Sequence, residues 1–184
     1  MPAKSLLKVE ESVNIYTMIS ATETPFSSDG LRIQPASFSP DEVIEPFTVI
    51  LRSLDYQPML EALGIGNFHV FRKKKALREL QALSISLWKL ALQRSFPNDF
   101  ELFYTTYMET ALPVKLSSKE AELFKARVNT YNALLAPKKE NDFSPVAKYL
   151  ADIFTDNEDA SKRFTLKLSL LLRNVYTVIF DNLV

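Results

Sequence analysis

The stretch KALRELQALSISLWKLALQRS, residues 75–95, decides the fold. It holds neither glycine nor proline. Leu77, Leu80, Leu83, Ser84, Leu87, Trp88, Leu90 and Ala91 return at steps of three and four, the spacing of one helix face. The apolar arc is wide and the polar stripe narrow, with Arg78, Glu79, Ser86, Lys89 and Gln93 nearly all that is left for water. The spacing therefore predicts a helix touched on more than one side, at the centre of a bundle.

Working outward, the flanking segments are punctuated as helices too. Asn67 is a candidate cap upstream of residue 75, and Pro97-Asn98 closes the stretch downstream. At Ser39-Pro40-Asp41-Glu42 a hydroxyl cap, a proline at the first helical position and two acids facing the positive end of the helix dipole predict a helix start. That helix runs through Val43, Phe47, Ile50, Leu51 and Leu54, with Pro46 able to kink it. A short helix over 58–63 stops at Gly64-Ile65-Gly66. Asn98 opens a helix carrying Phe100, Phe103, Tyr104 and Tyr107, and Ser117-x-x-Glu120 is a capping box for a helix through Leu123, Phe124, Val128, Tyr131 and Leu135. Ser144-Pro145 repeats the cap-plus-proline signal for a helix ending near Phe154.

Two regions resist this pattern. Phe164, Leu166, Leu168 and Leu170 alternate as in a strand, and residues 176–180 are strand formers, but the long run without glycine or proline favours a last helix over 161–182. In residues 12–21 a strand-like alternation (Val13, Ile15, Thr17, Ile19) competes with a helical stripe, and residues 22–39 are rich in Ser and Thr with Pro25, Gly30 and Pro35. The resulting expectation is an N-terminal arm and Pro/Ser-rich loop over 1–39, irregular or partly extended, followed by a helical bundle over 40–184. The fold class is all-α, a single-domain bundle of six or seven helices, with those over 75–95 and 161–182 near its centre.

Composition narrows the chemistry. With no cysteine there is no disulfide, thiolate metal site or cysteine nucleophile. His69 is the single histidine, so one chain cannot assemble a multi-imidazole metal site; among Phe68, Val70 and Phe71 it reads as a buried or half-buried structural residue. Gly64-x-Gly66 lacks the third glycine of a phosphate-cradling loop, no Gly-x-Ser-x-Gly elbow exists, and no cofactor is implied. Lys167, Arg173, Asn174 and Asp181 interrupt the longest apolar region, so no membrane span is predicted; without a signal-peptide stretch the expected location is cytoplasmic.

Two clusters remain. Arg72, Lys73, Lys74, Lys75 and Arg78 concentrate positive charge beside Phe68 and Phe71, a pattern suited to nucleic acid or an anionic surface. Equal numbers of basic and acidic residues, 22 each, disfavour nucleic acid, and a solvated helix shoulder explains the cluster as well. If the helix begins near these cations, each one in its first turn opposes the dipole by roughly 0.3–1 kcal/mol; if it begins at Asn67, they fall past that turn. Two groups of acids are loosely spaced to hold a metal for phosphohydrolase-like chemistry, Glu42 and Glu45 with Asp41, and Asp152 and Asp156 with Asp159 beyond, though the same acids suit helix starts. Missing enzyme signatures favour a non-catalytic protein-interaction or regulatory domain. The apolar surplus on its two long helices adds a second copy, as a homodimer, to the expected protein partners.

Overall fold

The computed structural model describes residues 38–66, 68–111, 117–136 and 142–183. The expectations for residues 1–37, and Asn67 as a cap, lie outside the described residues. Those described form seven helices and no strand: α1 (Pro40–Ser53), α2 (Gln57–Ala62), α3 (Val70–Ser95), α4 (Phe100–Thr110), α5 (Ser118–Leu135), α6 (Ser144–Phe154) and α7 (Glu158–Asp181).

Local chemistry sets several helix ends. At the start of α1 the Glu42 carboxylate accepts from Ser39 N at 2.7 Å while Ser39 Oγ accepts from Glu42 N at 3.4 Å, and Ser117 with Glu120 repeats this box at α5. Pro46 lies inside α1 without ending it. Behind α2, Gly64 takes a φ of +67°, which lets Gly64 N reach Glu61 O and Ile65 N reach Leu60 O, both at 2.9 Å. This is a Schellman stop, and glycine holds the left-handed position at no steric cost. Two assigned caps shift by one residue. Asp99, not Asn98, precedes α4, and Ser144 is the first residue of α6, its N–H donating to Asp142 Oδ1 at 3.0 Å.

The axis of the bundle is α3, which packs against α1, α4, α5 and α7. Trp88 is fully buried and stacks on Phe47 of α1 at 4.3 Å, while Tyr107 of α4 meets both rings edge-on at 5.0 and 5.2 Å. Glu79 and Ser86, assigned to the water-facing stripe, are in fact buried against α5. The Glu79 carboxylate accepts from Arg127 Nε at 2.7 Å and Tyr131 Oη at 3.0 Å, and Ser86 Oγ reaches Val128 O at 3.1 Å. Partners on α5 satisfy these groups, so burial does not leave them unbonded.

The segment with the strand-like alternation is helical throughout. Asn157 Oδ1 caps α7 by accepting from Ala160 N at 2.9 Å, and α7 folds back along α6, where Ser161 Oγ donates to Asp152 at 2.6 Å. α7 packs against α6, α3 and α2, but along one face only. Leu168, Leu172, Tyr176 and Ile179 form one inward stripe, whereas Leu166, Leu170, Val178 and Phe180 stay exposed. Apolar residues at two-residue steps cannot all share one face of a helix, so part of the surplus turns outward. Among the described residues no helix is long and apolar enough to cross a membrane.

Candidate functional site

The connection from α2 to α3 projects an apolar tip. Gly66 O accepts from His69 N at 3.2 Å, and His69 O then accepts from Lys73 N at 2.8 Å to begin α3. Phe68 is 99% exposed, Phe71 is 91% exposed, and Val70 is exposed with them. His69 is exposed as well, correcting its assignment to the interior: it occupies the cap position of a helix end that points away from the core.

Because α3 starts at Val70, Arg72 falls in its first turn, which contains no acid. The cost against the α3 dipole has a local offset. Arg72 Nη2 donates to Phe154 O at 2.6 Å, and Lys75 Nζ sits 5.3 Å from the centre of the Phe154 ring. Phe154 is the last residue of α6, whose final turn carries no cation of its own, so cations from α3 serve the negative end of that helix. Arg78 pairs with Glu120 at 2.9 Å across to the start of α5. The basic cluster thus ties three helix ends together, while Arg72, Lys74 and Lys75 still meet solvent.

The two groups of acids do not converge. Glu42 and Glu45 lie on α1, Asp152 on α6 and Asp156 in the turn before α7. Hydrogen bonds from the Ser39 backbone, then from its side chain, hold Glu42 below the usual carboxylate range. Asp152 is lowered likewise, first by Lys148 Nζ at 2.8 Å and then by the Ser161 hydroxyl. Asp152 and Asp156 do share an open groove of about 560 Å³ with Glu158, Lys148 and Lys162. Two of its three acids are matched by cations, Asp152 by Lys148 and Glu158 by Lys162, both at 2.8 Å. Among the described residues no three histidine or acidic side chains gather to hold a metal ion.

No protein family, curated protein or solved structure matches the chain. The site therefore rests on geometry alone, and two surfaces stand out: the tip of α3 and the outward face of α7. The sequence signalled the first through Phe68 and Phe71 beside the cations. It gave no sign of which apolar residues of α7 would face outward, because that depends on where α6, α3 and α2 pack.

Proposed function

We propose that the chain is a non-catalytic interaction domain that sets the aromatic tip of α3 against an anionic lipid surface. The observation that carries this reading is the near-complete exposure of Phe68 and Phe71 on a fold that buries many other aromatic rings. Hiding each such side chain is worth roughly 1.5–3 kcal/mol, so leaving two in water forgoes a gain that a bilayer interface would restore.

The order of residues fits that use. Aromatic residues lead, and the exposed cations Arg72, Lys74 and Lys75 follow within the next turn or two. Rings then enter the boundary of the acyl region while the cations meet headgroup phosphates, each adding about 1 kcal/mol near an anionic leaflet. The cytoplasmic leaflet is the anionic one, which agrees with a cytoplasmic location. Nucleic acid is the weaker partner, since net charge is zero.

Sedimentation with vesicles tests the reading. The chain should bind vesicles containing phosphatidylserine, release at high salt, and ignore pure phosphatidylcholine. Phe68→Ser with Phe71→Ser should abolish binding without changing the melting temperature, because neither ring packs in the core. Equal binding by that variant would refute the proposal, as would binding only to heparin or oligonucleotide.

A further inference from the structure

We infer that the outward face of α7 is a self-association surface whose occupant is a second copy of this chain, set antiparallel about a two-fold axis at Asn174. The inference is independent of the lipid-binding tip. Leu166, Leu170, Asn174 and Val178 recur at four-residue steps, and all four are exposed, Leu166 at 67% and Leu170 at 56%. Such a ridge is what a neighbouring helix packs against. Beside it, Leu170 and Leu171 line a groove of about 380 Å³ with Pro58 and Ala62 of α2, and the charged Glu61 and Lys167 border it.

Charge complementarity identifies the occupant and its direction. Lys167 and Asp181 are exposed, and they stand the same number of residues before and after Asn174. Among the described residues neither has an ion-pair partner within the chain. Two antiparallel α7 helices centred on Asn174 bring Lys167 level with Asp181 of the second copy, and Leu170 level with its Val178; symmetry repeats both pairings. A parallel pair would set lysine against lysine and aspartate against aspartate. The ridge is thus complementary to itself in one orientation only, the property an isologous two-fold interface requires. Asn174 meets its own copy at the axis, where an amide offers both donor and acceptor. Arg173 stands next to the axis, and its long stem lets the guanidinium turn out to water.

Light scattering over a tenfold concentration range is the test. The expected mass is twice the 21.0 kDa of one chain. Leu170→Glu should return it to a single chain with helix content by circular dichroism unchanged, because Leu170 lies outside the core. Lys167→Asp and Asp181→Lys should each weaken the dimer at least tenfold, and the two together should restore it. In a chain without cysteine, Asn174→Cys places its only thiol on the axis, so a short thiol-specific linker should join two copies there. A single-chain mass at every concentration, or a dimer indifferent to Leu170→Glu, would overturn the proposal. Failure of the double charge exchange to restore the dimer would overturn its antiparallel register.

Discussion

Replacing Arg127 by leucine isolates the one strongly buried charge between α3 and α5. Glu79 is 5% exposed, and its carboxylate depends on Arg127 Nε at 2.7 Å and Tyr131 Oη at 3.0 Å. Removing one partner of a buried pair costs roughly 3–5 kcal/mol, because the remaining charge is left without compensation. The Arg127 side chain is itself 32% exposed, so water partly replaces it and the low end, about 3 kcal/mol, is expected. For a domain of this size that lowers the melting temperature by about 6–12 °C. Burial and the adjacent Glu79 charge push the Tyr131 phenol far above its usual value, so it remains a donor throughout the working pH range. Its loss in Tyr131→Phe should cost less, about 1–3 kcal/mol. The decisive comparison is Glu79→Leu with Arg127→Leu. This double variant should be more stable than Arg127→Leu alone, since no unpaired charge is left behind. Urea unfolding followed by fluorescence measures all three variants, because Trp88 is the only tryptophan and is fully buried. A loss under about 1 kcal/mol for Arg127→Leu, or a double variant no more stable than the single, would refute the assignment.

Two glycines separated by one residue should respond oppositely to alanine. Gly64→Ala forces a left-handed side chain and should cost about 1–2 kcal/mol, although its Cβ would sit an acceptable 3.7 Å from Phe164; Gly66→Ala, with nothing within 4 Å, should be neutral or stabilising by up to about 1 kcal/mol in chemical denaturation. Glu42 and Glu120 titrate below the ordinary carboxylate value, so their contribution is complete above that value and is lost as pH falls through the lowered one. Ser39→Ala with Ser117→Ala should flatten the acid limb of stability against pH, and an unchanged limb would exclude the capping boxes as its source. Burial raises Tyr56 to about 12, so its contribution holds below the unfolded phenol value near 10 and disappears as pH rises to about 12; ultraviolet titration should lose its high-pH component in Tyr56→Phe.

Features written in local chemistry were legible in the sequence. Capping needs only residues three apart, so both boxes could be read directly, and the apolar arc of α3 announced neighbours on several sides. The fate of Glu79 could not be read this way, because Arg127 and Tyr131 lie 48 and 52 residues further on and nothing near Glu79 marks it as buried. His69 was misjudged for a related reason: apolar neighbours suggest an interior, yet here those neighbours are themselves exposed. That Arg72 also serves the end of α6 could not be read either, because the carbonyl it bonds belongs to Phe154, 82 residues away. On α7, period alone could not say which apolar residues would be covered, since helices from three other parts of the chain make that choice.

The distance along the chain between α3 and α5 also matters while the protein is being made. Glu79 waits for Arg127, 48 residues later, a delay of about 2–10 s at ordinary elongation rates of 5–20 residues per second. By the end of that interval the whole apolar arc of α3 has been made ahead of its main cover, a stretch of nascent chain that shielding would protect.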